Sequence, residues 1–98
     1  MIIETKKNDG KTTVGLVGRL DSLTAPELTE KVDEILEGTE ELIFDLKELE
    51  YVSSAGLRAL LSAQKKALEQ GSMKLINLSE DIMEIMDVTG FSSIMTIE

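Results

Sequence analysis

A continuous apolar run and a long amphipathic run lie close together in the middle of the sequence. The run Leu42–Leu46 begins with three consecutive apolar residues, which is typical of a strand covered on both faces. The run Leu57–Gln70 repeats leucine and alanine at helical spacing, with polar residues between them. The junction Tyr51–Leu57 contains two adjacent serines followed by Ala and Gly. We therefore expect a buried strand that leads through a tight junction into a helix.

Strand and helix patterns alternate along the rest of the chain. An Asp-Gly pair between two β-prone runs predicts a β-hairpin at the start of the chain. Outside the central pair, the predicted elements are this hairpin, two helices and two short strands, at Met1–Lys7 with Thr12–Gly18, Thr24–Gly38, Ser79–Gly90, Met73–Leu78 and Ile94–Ile97. The order β-β-α-β-α-β-α-β predicts one α/β domain over residues 1–98, with a mixed sheet of about five strands packed with three to four helices.

The ends and faces of the helices are predicted in more detail. Thr24 and Glu27 have capping-box spacing, so the Thr24 side chain is expected to cap the first helix. Gly38 is expected to end that helix. The residues expected on the buried face of the central helix are Leu57, Leu60, Leu61 and Leu68.

The composition excludes several classes of function. The 98 residues contain no Cys and no His, which removes disulfides, thiolate zinc sites and the commonest general base. The net charge of −9 disfavours nucleic acid and anionic membranes as partners. The acidity either keeps a small protein soluble or forms a face for a more basic protein. No signal-peptide pattern is present, so a cytoplasmic location is expected.

The hydroxyls of the junction have two physical interpretations. A serine before a helix is a good N-cap, and the start of a helix also favours an added phosphate. Catalysis by Ser53 or Ser54 is disfavoured because no base accompanies them, and Asp21 and Asp45 match no recognisable metal spacing. Asp45 is interpreted as structural, whereas for Asp21 a loop-stabilising role and a functional one remain open. The sequence predicts neither an enzyme nor a cofactor.

Several motifs together resemble the STAS family of anti-sigma factor antagonists. Tyr51–Arg58 is similar to the family signature, and it is preceded by Leu42–Leu46. Gly18–Asp21, followed by Thr24 and Ala25, and Thr89–Phe91 near the end match in the same order. The resemblance extends over essentially the whole chain.

The resemblance implies a partner-switching protein without catalytic activity. Such an antagonist binds an anti-sigma factor, a serine kinase of the histidine-kinase-like ATPase type, and thereby frees a sigma factor. The kinase phosphorylates the antagonist, which then dissociates, and a PP2C-type phosphatase restores it. By motif, the phosphoacceptor stands two residues before Gly56, which is Ser54, with Ser53 as a minor alternative because it occupies the place of the usual acid. Residues implied in partner binding are Asp21, Ser53, Ser54, Ala55, Gly56 and Arg58.

Two other functions remain open at this point. One is a non-switching interaction module of the same fold, either a scaffold subunit of a stress-signalling complex or an accessory subunit of a lipid transporter. The other is a binding domain for a nucleotide or another small ligand. The hydroxyl pair also permits both roles at once, with Ser53 capping the helix and Ser54 exposed in its first turn.

Overall fold

The computed structural model describes all residues from Met1 to Glu98. Its five strands, three helices and one short 3-10 turn are, in chain order, β1 (Ile2–Asn8), β2 (Lys11–Leu20), α1 (Ala25–Leu36), β3 (Glu41–Asp45), β4 (Leu49–Val52), α2 (Ser54–Leu68), β5 (Ser72–Ile76), α3 (Glu80–Thr89) and the 3-10 turn Phe91–Ser93. The expected single α/β domain with a mixed five-stranded sheet is therefore confirmed.

The sheet is mixed because only its first pair of strands is antiparallel. The order is β1-β2-β3-β5, with β3 parallel to both β2 and β5. The hairpin turn places Asp9 and Gly10 at φ values of 48° and 81°, the left-handed region that such two-residue turns require. The far end of β2 pairs in parallel with β4, after a register shift at Gly18 and Arg19. Strand β2 thus pairs with three other strands, β1, β3 and β4.

One face of the sheet packs on the core. Alternate residues are buried in β2 and in β5, as a strand with one covered face requires. In β3 all three apolar residues are buried, as predicted, although Ile43 lies outside the main core cluster. Helices α1 and α2 pack against each other and supply much of that core, including Leu28, Val32, Leu57 and Leu60.

Two expectations about the elements are wrong, and one strand was not expected. Leu49–Val52 forms β4, although four residues with two exposed ones in the middle give too short a pattern to predict. The expected last strand is reduced to a single bridge between Ile97 and Leu75, because the 3-10 turn occupies the chain just before it. Leu68 is 58% exposed, since it lies on the last turn of α2 beyond the edge of the core.

The predicted helix ends are confirmed with one exception. Gly38 adopts a φ of 73° just after α1, and Gly90 one of 82° at the end of α3. The Ser79 hydroxyl accepts a hydrogen bond from the Ile82 N–H at the start of α3. The capping box at α1 is absent, because the Thr24 hydroxyl instead donates to the Arg19 carbonyl at 2.7 Å. Thr24 therefore ties α1 to the end of β2.

Candidate functional site

The predicted site lies where β2 and β4 end side by side. Leu20 pairs with Val52 in parallel register, and the Ser53 N–H donates to the Leu20 carbonyl at 2.9 Å. Parallel strands end at the same edge of a sheet, so the loop that starts with Asp21 is adjacent to the start of α2. The fold thus brings together two motifs that lie more than thirty residues apart in the sequence.

Ser53 is the N-cap of α2. Its backbone is extended, with φ −93° and ψ 175°, and its Oγ accepts a hydrogen bond from the Gly56 N–H at 3.2 Å. The residue is half-buried. The hydroxyl oxygen of Ser53 is therefore committed to one of the free N–H groups at the start of the helix.

Ser54 is the first residue of α2, and it is exposed. Its hydroxyl takes part in none of the side-chain hydrogen bonds that hold the junction, which involve Ser53, Asp21 and Thr24. The first turn of α2 contains no acidic residue. The Ser54 hydroxyl is thus accessible, beside N–H groups and a helix dipole that favour negative charge.

Asp21 organises the loop between β2 and α1. Its Oδ1 accepts hydrogen bonds from the N–H groups of Leu23 and Thr24, at 3.0 and 3.1 Å. Partial burial alone raises the pKa of Asp21, but these bonds, the Thr24 hydroxyl and the Arg19 guanidinium together bring that pKa below its ordinary value. The Arg19 Nε lies 3.7 Å from the Asp21 Oδ2, and its guanidinium stacks 4.4 Å above the Tyr51 ring. The loop-stabilising role of Asp21 is therefore present in the structure.

Ala55 and Arg58 line a cleft between α1 and α2. The cleft has a volume of about 510 Å³ and is bordered across from them by the start of α1, including Ala25, Pro26 and Glu30. Arg58 is exposed, and Ala55 is half-buried. These two predicted partner-binding residues thus share a concave surface next to Ser54.

Gly56 has a packing role that accounts for its residue type. A Cβ at this position would lie 2.5 Å from the Leu20 carbonyl oxygen and 2.9 Å from both Leu20 Cγ and Val52 Cγ2. Real Cβ atoms do not approach other atoms so closely. Gly56 therefore lets the first turn of α2 lie directly on the ends of β2 and β4.

Leu23 is a surface feature that the sequence did not indicate. An apolar residue just before an N-cap ordinarily packs against its helix, yet Leu23 is 85% exposed. The hydrogen bond from its N–H to Asp21 fixes its backbone in the loop. Leu23 is thus an apolar side chain presented to solvent beside the Asp21 loop.

Asp45 lies away from this site and has a structural role, as expected. Its Oδ1 accepts hydrogen bonds from the Lys47 N–H and from the Asn77 side-chain amide, both at 3.1 Å. The acidic residues of the chain form no group of three or more that is placed to hold a metal ion. None of the helices combines the length and apolar character that crossing a membrane requires.

Comparison with known proteins places the chain in a family. A family model described as the STAS domain matches residues 3–98. The chain belongs to the STAS domain family. It is 34% identical over 96 residues to the anti-sigma-B factor antagonist of Bacillus subtilis (strain 168), covering 97% of this chain and 88% of that protein.

Two solved structures share the fold of this chain. An anti-sigma factor antagonist from Mycobacterium paratuberculosis superimposes with a TM-score of 0.87 at 21% identity, over 98% of this chain and 83% of that one. The Bacillus cell fate determinant SpoIIAA in its phosphorylated form superimposes with a TM-score of 0.74 at 16% identity, over 99% and 91% of the two chains. At these identities the likeness concerns the fold.

Proposed function

We propose that this STAS protein is an anti-sigma factor antagonist that is switched by phosphorylation of Ser54. The antagonist role is supported by full-length similarity to the Bacillus subtilis anti-sigma-B factor antagonist. The observation that carries the switch is the accessible, uncommitted hydroxyl of Ser54 at the start of α2. Unphosphorylated, the protein binds an anti-sigma factor and thereby frees the sigma factor.

The proposed partner is a serine kinase of the histidine-kinase-like ATPase type. It transfers the γ-phosphoryl group of ATP to the Ser54 oxygen, ADP leaves, and the hydroxyl proton passes to a base on the kinase. A PP2C-type phosphatase hydrolyses the ester and restores the serine. Both reactions occur in the cytoplasm on enzymes other than this chain, whose role is to be bound and modified.

The charge change at Ser54 explains why binding is lost. A phosphoserine carries a charge of about −1.5 to −2 and three acceptor oxygens. The helix dipole stabilises that charge by about 0.3–1 kcal/mol, so the domain is expected to stay folded. A partner surface packed against the junction meets a bulky dianion instead of a hydroxyl. Phosphorylation therefore changes the interface rather than the fold.

Ser53 is the poorer acceptor of the two. Its oxygen already accepts a hydrogen bond from the Gly56 N–H, and the residue is half-buried. A kinase would first have to free the Ser53 oxygen from this bond, and an N-cap of this kind contributes about 0.5–2 kcal/mol to the stability of the helix. The two hydroxyls thus divide the capping and switching roles between them.

The proposed partner surface surrounds Ser54. It consists of the Asp21 loop, the first turn of α2 with Ala55, and Arg58 at the edge of the cleft, whereas Gly56 is buried and supports that turn from below. Leu23 extends it by an exposed apolar side chain. The part of the partner that faces Ser54 is expected to be acidic or apolar, because an acidic surface repels the added phosphate and an apolar surface cannot solvate it.

Binding to the cognate kinase tests this proposal. Ser54→Ala should bind constitutively and take up no phosphate, whereas Ser54→Asp should bind more weakly. Ser53→Ala is the matched control: it should still be phosphorylated, at some cost in thermal stability. Phosphate on Ser54→Ala would refute the assigned site. Equal binding by Ser54→Ala and Ser54→Asp would instead indicate a non-switching interaction module.

A further inference from the structure

Arg58 is an exposed cation of α2 that has no partner in the chain. The five ion pairs involve Arg19, Lys47, Lys66 and Lys74, but not Arg58. The chain's other arginine, Arg19, is engaged by Asp21 and by the Tyr51 ring. Arg58 borders the cleft opposite Glu30 without forming an ion pair with it. Its guanidinium is therefore free to bind an anion that arrives nearby.

Helix geometry places Arg58 within reach of a group on Ser54. Residues four apart on a helix are neighbours, with Cβ atoms about 5–6 Å apart. An anion at the earlier position and a cation at the later one is the favourable order, because it also matches the helix dipole. The guanidinium carries two parallel N–H donors that match two phosphate oxygens. Ser54 and Arg58 have this spacing and this order.

We propose that Arg58 forms an intramolecular ion pair with the phosphate on Ser54. This inference rests on the proposed function, and it adds a second component to the switch. Phosphorylation adds negative charge at Ser54 and at the same time withdraws a cation, Arg58, from the surface offered to the partner. Arg58 is a positioning residue, since it holds the phosphate against the first turn of α2.

Acidic side chains on the neighbouring elements act against Arg58 on the charge state of the phosphate. Asp21 in the loop after β2 and Glu30 on α1 carry negative charge, and Glu50 on β4 is exposed. Arg19 is already paired with Asp21. The acids favour the phosphate monoanion, whereas Arg58 favours the dianion. Removing Arg58 should therefore raise the second pKa of the phosphoserine, which is ordinarily about 6.

The test is a phosphorus-31 NMR titration at 0.1 M salt of protein carrying genetically encoded phosphoserine at position 54. We expect Arg58→Gln to raise the phosphate pKa by about 0.3–0.7 pH unit, the size of an exposed helical charge pair strengthened by bidentate contact. Arg58→Lys keeps the charge but not the paired donors, so it should show an intermediate shift. Circular dichroism should show the same helix content in every variant.

Lys65→Gln is the matched control. It removes the same charge from the same helix, but position 65 lies about 16 Å along the axis from Ser54, beyond the Debye length of about 10 Å. Its phosphate pKa should stay within about 0.1 unit of the wild type. A shift by Lys65→Gln as large as that by Arg58→Gln would indicate a general charge effect and overturn the pairing.

The ion pair and the proposed function are tested by separate experiments. Because the phosphoserine is encoded, no kinase is needed, and coincident titration curves for wild type and Arg58→Gln would overturn the ion pair alone. The proposed function is tested by binding of Ser54→Ala and Ser54→Asp to the cognate kinase. If Ser54→Ala and Ser54→Asp bind the kinase differently but the titration curves coincide, the proposed function stands and Arg58 has no part in it.

Discussion

Gly56→Ala should destabilise the domain because no space exists for the added methyl group. The new Cβ would lie 2.5 Å from the Leu20 carbonyl oxygen and 2.9 Å from Val52 Cγ2. The carbonyl is not free to move, since it accepts the hydrogen bond from the Ser53 N–H at 2.9 Å. Relief of the clash therefore requires the first turn of α2 to separate from the ends of β2 and β4.

The size of the effect follows from two opposing terms. Overpacking a well-filled site costs about 1–3 kcal/mol, and contact with a fixed backbone atom places Gly56→Ala at the upper end, near 3 kcal/mol. The better helix propensity of Ala returns about 0.5–1 kcal/mol. A net loss of about 2 kcal/mol corresponds to a decrease in Tm of about 8–16 °C for a domain of this size.

Gly15→Ala is the matched control for this experiment. A Cβ at Gly15 would find its nearest atoms at 3.7 Å or more, which is ordinary contact, and its φ is not in the left-handed region. Its stability should be unchanged or rise by up to about 1 kcal/mol, because the unfolded chain loses entropy. Differential scanning calorimetry measures both variants. Equal Tm values for Gly56→Ala and Gly15→Ala would refute the steric argument.

Three further predictions concern stability, pH and binding. Thr39→Val should lower the free energy of unfolding, measured in urea, by about 1–3 kcal/mol, and Thr12→Val by only about 0.5–1.5 kcal/mol. The difference arises because the Thr39 hydroxyl both contacts the Thr12 hydroxyl and donates to the Ile35 carbonyl. Equal losses for the two variants would contradict this network. The pKa of Asp21 is lowered in the folded protein, so wild type should exceed Asp21→Ala in free energy of unfolding by a constant amount near neutral pH. This difference should decrease only below pH 3.8, as the carboxylate is protonated. A difference that disappears above pH 5 would contradict this. Leu23→Ser should weaken kinase binding by about tenfold without changing the Tm, and unchanged affinity would exclude Leu23 from the interface.

The local signals that were strong in the sequence are those that depend on few residues. The Asp-Gly turn, the serine caps at Ser53 and Ser79 and the glycine after α1 each follow from the chemistry of one or two positions. The central strand β3 was predictable because three apolar residues in succession leave few alternatives. Such signals act within a few residues, where neighbours in space are also neighbours in sequence.

The errors occur where a distant part of the chain decides the outcome. β4 exists because its four residues pair with the end of β2, some thirty positions earlier. In this strand a tertiary contact overrides a weak local preference. The error at Thr24 has a local cause instead, because its hydroxyl donates to the Arg19 carbonyl only five positions earlier.

The site was only partly predictable for the same reason. The serine pair identified the junction, but the closeness of Asp21 depends on the pairing of β2 with β4. The exposure of Leu23 contradicts the usual packing of an apolar residue before a helix. The requirement for Gly at position 56 appears only when the Leu20 carbonyl is seen against the first turn of α2.

The arrangement of charge at the helix starts would allow the fold to accommodate the proposed phosphate at Ser54. Helix α1 carries Glu27 in its first turn and α3 carries Glu80 and Asp81, whereas the first turn of α2 carries no acidic residue. The dipole of α2 is thus left without local compensation in the unphosphorylated protein. A phosphate on Ser54 would supply that compensation, with Arg58 one turn further along. In the proposed switch, the same modification would therefore stabilise the helix that bears it and oppose the partner that packs against it.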